Sequence, residues 1–262
     1  MQLLIDAGVI LLAYIFGSIP FGLLIVKLTT GQDVRKIASG RTGGTNVMRA
    51  AGCWAGLATA LFDILKGAGA VWVARAVTNN IWIEVLAPIA AVLGHNYSIF
   101  LAEHNVNGKI RLRGGAGGAT AAGGAIGLQW SVLFGLPIPI FMFFGVGYAS
   151  LTTLSISLTA ILLFTVLYLL GRAPWQYIIY GGATLLILLW ALRPNIRALI
   201  EGRERFHGWR PWKKKEVEKT KDAEPSRETK QDNMVEAQRK KASSKKNKRS
   251  NMTAKKKEKQ RR

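Results

Sequence analysis

Apolar residues run almost unbroken from 3 to 26, and comparable runs recur near 53–76, 81–101, 115–130, 131–147, 150–171 and 175–192. A bilayer core takes roughly 20 apolar residues of helix to cross. Within it every peptide group must find a hydrogen-bond partner in the protein, which leaves helices or closed barrels. Continuous apolarity, in place of strict alternation, selects helices. The expected fold is therefore all-α, a polytopic integral membrane bundle of about seven transmembrane helices, with six as the fallback. The boundary between the fourth and fifth runs is the least defined, because 115–130 is short and rich in Gly and Ala, a composition suited to close helix packing.

Composition divides the chain in two. Of its 262 residues, 1–209 hold 15 Lys/Arg and 7 Asp/Glu among the apolar runs, whereas 210–262 hold 21 Lys/Arg and 8 Asp/Glu and almost nothing able to form a core. The first part reads as a membrane domain and the second as a disordered basic cytoplasmic tail. The net charge of +21 thus belongs mostly to the tail. A single cysteine, Cys53, excludes an intrachain disulfide. The first 26 residues have no basic n-region and are expected to remain as an uncleaved first span.

Loop charges set the orientation. Lys27, Arg35, Lys36, Arg41 and Arg49 separate the first two spans, and Lys109, Arg111 and Arg113 separate the third and fourth. A basic run starts at Arg193, and the intervening connections are nearly uncharged. This alternation places the N-terminus outside and the C-terminus in the cytoplasm, which requires an odd number of spans.

Both basic connections on the cytoplasmic side are glycine-rich. Ser39-Gly-Arg-Thr-Gly-Gly-Thr-Asn46 and Arg113-Gly-Gly-Ala-Gly-Gly-Ala-Thr120 allow backbone N–H groups to converge on an anion, with arginines beside them. Two such loops on one membrane face point to phosphate groups handled next to lipid. Asp63 and Lys66, three apart, share a helix face and are either a structural ion pair or a support for the loop site. His95 ends the third span; His104 and His207 sit in polar segments. No His/Asp/Glu cluster has metal-ligand spacing, so no metal is expected, and neither a G-x-S-x-G elbow nor a Walker-type loop is present.

These residues form an ordered set of motifs. Gly17-Ser-Ile-Pro-Phe-Gly22 is followed by Ser39-Gly40, Gly43, Thr45-Asn46 and Arg49, then by Asp63-Ile-Leu-Lys-Gly67 and Gly94-His95. Arg113-Gly-Gly115, Gly117, Ala119-Thr120, Tyr148, Ser150-Leu151, Asn195-Ile196, Gly202 and Glu204 complete it. In this order they resemble the bacterial membrane acyl-phosphate:glycerol-3-phosphate acyltransferases of the PlsY type, over residues 12–205. The resemblance implies a seven-span protein with its site on the cytoplasmic face of the bacterial plasma membrane. It implies transfer of a fatty acyl group from acyl phosphate to the sn-1 hydroxyl of glycerol 3-phosphate, in phospholipid biosynthesis, giving lysophosphatidic acid and phosphate without a cofactor. It assigns Ser39, Arg49 and Asn195 to catalysis. Gly40, Arg41, Gly43, Thr45, Asn46, Arg113, Gly114, Gly115, Gly117, Thr120 and Ser150 line the substrates, and Asp63, Lys66, His95 and Glu204 support the site.

Four positions depart from the family pattern. Arg41 replaces the Asn of Ser-Gly-Asn, Ala116 the lysine of Lys-Gly-Gly-Lys-Gly, Gly147 an arginine and Leu192 a histidine; residues 102–112 contain an insertion of about nine residues. Arg41, Lys109, Arg111 and Arg113 are the cations available to replace the missing lysine. The alternative function is an inactive or substrate-altered relative that serves as a lipid-synthesis scaffold or regulator. In the tail, Trp209, Trp212 and Lys213-Lys-Lys215 suit docking to anionic lipids of the inner leaflet. Nucleic acid is disfavoured as a partner because no stacking platform accompanies the charges.

Overall fold

The protein is described here by a computed structural model covering residues 1–104, 108 and 110–206. Nine α-helices occur among these residues: α1 Gln2–Ser18, α2 Phe21–Thr30, α3 Gly44–Ala51, α4 Cys53–Val77, α5 Ile81–Asn96, α6 Gly118–Leu128, α7 Pro137–Phe141, α8 Ala149–Leu169 and α9 Gln176–Ile200. The all-α expectation needs one correction. Strands β1 Ser98–His104 and β2 Ile110–Arg113 pair antiparallel, with His104 opposite Ile110 and Ser98 opposite Arg113. The apolar run 81–101 therefore does not continue as one helix: α5 stops at Asn96, and Ile99, Phe100 and Leu101 enter the hairpin that the inserted residues lengthen.

Among the described residues, four segments are long and apolar enough to cross a membrane: Gln2–Thr30, Cys53–Val77, Ala149–Leu169 and Gln176–Ile200. The other expected spans coincide with shorter helices. α5 has 16 residues and α6 has 11. The run 131–147 is a broken path of 3₁₀ turn Trp130–Gly135, α7 and a π turn Met142–Val146, with Pro137 and Pro139 withholding N–H groups from it.

The first span is broken at Ile19-Pro20, where proline holds the preceding residue in an extended conformation (φ −59°, ψ 119°). α2 then ends on left-handed Gly31. The core is assembled mainly from small residues at helix crossings: Val9, Ala13, Ala70, Ala74, Ala87 and Ala91 join α1, α4 and α5. A second cluster, with Val71, Val85, Leu128, Phe164, Tyr177 and Tyr180, joins α4, α5, α6, α8 and α9. Large apolar side chains such as Leu12, Trp72, Leu162 and Leu186 are exposed on the outside of the bundle, the distribution expected where the surroundings are lipid and close backbone approach drives helix packing.

α6, too short to cross a bilayer, ends inside the protein, and its last carbonyls need partners. Arg75 of α4 supplies them: Nη1 donates to Gly127 O at 2.9 Å and Nη2 to Leu128 O at 2.6 Å, while Nε donates to Glu84 at 2.8 Å. The opposite end of α6 faces the glycine-rich loops.

Candidate active site

Asn46 organises the first loop. Its Nδ2 reaches the carbonyls of Val34, Ile37 and Arg41 at 2.9–3.1 Å, and its Oδ1 accepts from the Ser39 N–H and from Arg49 Nη1, both at 3.3 Å. The side chain is buried. Its amide is thus occupied by the loop itself, which it folds around a turn where Ala38 (φ 47°) and Gly40 (φ 66°) are left-handed. Gly43 is the N-cap of α3, and Thr45 lies in the first turn of that helix. Ser39 and Arg49 are exposed at the loop surface.

Arg41 points away from its own loop and joins three elements. Nη1 donates to the Gly115 carbonyl at 3.3 Å in the second loop. Nη2 donates to Ala191 O at 2.6 Å and to Asn195 Oδ1 at 3.1 Å on α9. All these acceptors are uncharged, and among the described residues no carboxylate forms an ion pair with Arg41. Burial of the guanidinium lowers its pKa from the usual arginine value, though Tyr97 opposes this; arginine remains charged.

The second loop rests on a buried polar chain. Asp63 Oδ1 accepts from Lys66 Nζ at 2.9 Å and lies 3.3 Å from His95 Nδ1. Lys66 also donates to the Ile19 carbonyl at the proline break, at 2.5 Å. His95 O accepts the Gly115 N–H at 3.0 Å, and its imidazole packs so closely on Gly115 that a Cβ there would overlap Nε2. Gly117, left-handed at φ 86°, caps α6, and Gly114, Thr120 and Ala116 lie around it. Asp63 and Lys66 are thus a buried ion pair, and His95 ties that pair to the second loop.

Two other predicted groups are engaged elsewhere. Ser150 Oγ donates to Glu204 Oε2 at 2.5 Å, and the Ser150 N–H donates to Oε1 at 3.2 Å. This places the Glu204 carboxylate at the N-terminus of α8, where negative charge is favoured, and occupies the Ser150 hydroxyl. Arg113 Nε lies 3.0 Å from Glu103 Oε2, while Glu103 Oε1 accepts from Arg35 Nη1 at 2.9 Å. Arg35 also clasps Asp33 and holds its carboxyl down at about 2. Glu103, in the inserted segment, therefore clips the approach to the first loop onto the start of the second. Sequence reasoning missed Glu103, and it missed Asn96, which adjoins Gly117. Only the position of Asn96 directly after His95 could have marked it. Of the departures, Gly147 is left-handed (φ 76°) at the end of the π turn, and Leu192 is buried. Lys109, His207 and the tail lie outside the described residues.

The site thus offers two glycine-rich loops, between them a half-buried arginine with no carboxylate partner among the described residues, and an exposed arginine on one side. Glycine-rich loops with cations beside them are chemically suited to phosphate groups. The family model for glycerol-3-phosphate acyltransferase matches residues 7–202. The glycerol-3-phosphate acyltransferase of Rubrobacter xylanophilus is 38% identical over 210 residues, covering 79% of this chain and 98% of the relative. That of Thermus thermophilus is 40% identical over 202 residues, covering 77% and 94%. Two crystal structures of the integral membrane glycerol 3-phosphate acyltransferase PlsY (YgiH) are also similar. Its glycerol 3-phosphate form superposes with TM-score 0.65 at 32% identity, covering 78% of this chain and 96% of PlsY. Its lysophosphatidic acid form gives 0.62 at 30%, covering 77% and 94%. The chain belongs to the glycerol-3-phosphate acyltransferase family of membrane enzymes.

Proposed function

We propose that this protein transfers a fatty acyl group from acyl phosphate to the sn-1 hydroxyl of glycerol 3-phosphate, at the cytoplasmic face of a bacterial plasma membrane. The observation that carries the proposal is Arg41, a half-buried cation held by neutral acceptors of the second loop and α9. A desolvated charge without a counter-ion is costly, and a bound phosphate relieves that cost. Its contact with Gly115, the neighbour of Ala116, supports the reading that it supplies the positive charge of the family pattern's lysine.

In this reading the first loop, with Ser39, Gly40, Gly43, Thr45 and exposed Arg49, takes glycerol 3-phosphate. The second, with Gly114, Gly115, Gly117 and Thr120, takes the acyl phosphate. Asn195 is fixed by Arg41 beside both. The glycerol hydroxyl attacks the acyl carbonyl, the new C–O ester bond forms, and the C–O bond to phosphate breaks. The hydroxyl proton passes to a phosphate oxygen, and lysophosphatidic acid and inorganic phosphate leave. The carbonyl of an acyl phosphate is already activated, so positioning and charge stabilisation are sufficient, and no enzyme-bound acyl intermediate is required. The seven-span topology, the division into a membrane domain over 1–209 and a basic tail over 210–262, and the tail's attachment to anionic lipid belong to the same proposal. Both loops meet at one end of the bundle while the Arg75–Glu84 cluster closes the other, which supports a one-sided site.

The test is turnover by membranes containing this protein, supplied with acyl phosphate and glycerol 3-phosphate. Stoichiometric lysophosphatidic acid and phosphate are expected; release at the background of protein-free membranes would overturn the proposal.

A further inference from the structure

Two buried polar side chains, Asn96 at the end of α5 and Thr120 in the first turn of α6, have no hydrogen-bond partner among the described residues. Asn96 is 4% exposed and Thr120 0%. Neither amide atom of Asn96 nor Oγ1 of Thr120 has a hydrogen-bond partner among the described residues. The Asn96 amide lies directly against the cap of the helix: a Cβ on Gly117 would overlap its Oδ1 and stand 3.1 Å from Nδ2. Gly117 is left-handed and Gly118 begins the helix, a succession that turns neighbouring N–H groups toward one concavity. The first N–H groups of α6 have no intrahelical acceptors. The second loop therefore gathers backbone donors, a hydroxyl, and an amide that offers both a donor and an acceptor.

We infer that Asn96 is a phosphate ligand of this loop, matched to the protonated phosphate that leaves. The inference rests on the acyl-phosphate reading of the second loop and extends it to a residue outside the glycine motif. An acyl phosphate dianion carries only acceptor oxygens. When the ester forms and the phosphate departs with the hydroxyl proton, the product HPO₄²⁻ has one P–OH and three acceptor oxygens. Asn96 Nδ2–H donates to one of those oxygens and Oδ1 accepts from the P–OH, so both orphaned atoms are satisfied only by the product state. The amide thereby favours departure of the leaving group.

Thermal unfolding of the full chain in detergent micelles, titrated with inorganic phosphate and separately with sulfate, tests this without requiring turnover. Phosphate is expected to stabilise the wild type more than sulfate, which has no proton to donate at neutral pH. Asn96→Leu removes an unsatisfied amide at nearly constant shape, so without ligand it is expected to unfold at or above the wild-type temperature. Its apparent phosphate dissociation constant is expected to rise about 10- to 100-fold. Asn96→Ala, in the same titration, gives a second reading of the phosphate criterion. Undiminished phosphate stabilisation in the variant would overturn the inference, as would equal stabilisation of the wild type by the two anions. So would a ligand-free Asn96→Leu protein that unfolds well below wild type, because the amide would then have a partner inside the fold. Phosphate stabilisation lost with Asn96, in a protein without acyl transfer activity, would leave this ligand role standing and remove the acyl-phosphate reading.

Discussion

Every polar atom of Asn46 is bound by the loop that carries it, and Asn46 fixes the positions of Ser39, Arg41 and Arg49 together. Asn46→Ala leaves the carbonyls of Val34, Ile37 and Arg41 without this donor. Loss of about 2–4 kcal/mol of stability is expected from several such groups, measurable by denaturation in detergent, with a rise in KM for glycerol 3-phosphate. The residue type and its place after a glycine-rich stretch were legible from sequence, but its partners were not. Hydrogen bonds to backbone carbonyls leave no mark on the identity of the residues that provide them. Arg41 shows the same limit over a longer range. Sequence marks it as a spare cation opposite the loop that lacks a lysine, whereas its anchors at Ala191 and Asn195 lie 150 residues away and depend on how α9 crosses the bundle.

At the scale of elements, Arg75 gives the short helix α6 an end inside the protein. Its planar guanidinium serves two carbonyls, Glu84 and the Tyr177 hydroxyl at once, a fork that an ammonium cannot reproduce. Arg75→Met is expected to destabilise the protein by about 2–4 kcal/mol, with Arg75→Lys recovering only part of this in thermal unfolding. The apolar runs revealed where helices lie, because lipid demands the same residues on every outward face. They concealed where helices stop. The hairpin after Asn96 is built from Ile99, Phe100 and Leu101, which are as apolar as the helix before them, and only the strand pairing with Ile110–Arg113 separates the two. The irregular path over Trp130–Val146 was hidden in the same way.

At the scale of the whole bundle, Asp63 joins the first span to the second loop. Its carboxylate takes Lys66, which holds the break in the first span, and His95, which holds the second loop. The spacing of three between Asp63 and Lys66 was readable as one helix face; His95 comes from another helix and was not. Asp63→Asn strands a buried ammonium and is expected to cost about 3–5 kcal/mol. Asp63→Leu combined with Lys66→Met removes the charges together and is expected to cost far less in thermal unfolding, while still loosening the second loop.

The proposed function gives Arg41, bonded to Gly115, Ala191 and Asn195, the part of the lysine absent at Ala116. The decisive measurement is the acyl transfer rate of Arg41→Ala beside that of Arg41→Ala combined with Ala116→Lys. The single substitution is expected to lower kcat/KM about 10- to 100-fold, as loss of a charge-assisted contact does, and the added lysine to restore most of it. A single variant working at the wild-type rate, or a lysine that restores nothing, would contradict this role for Arg41.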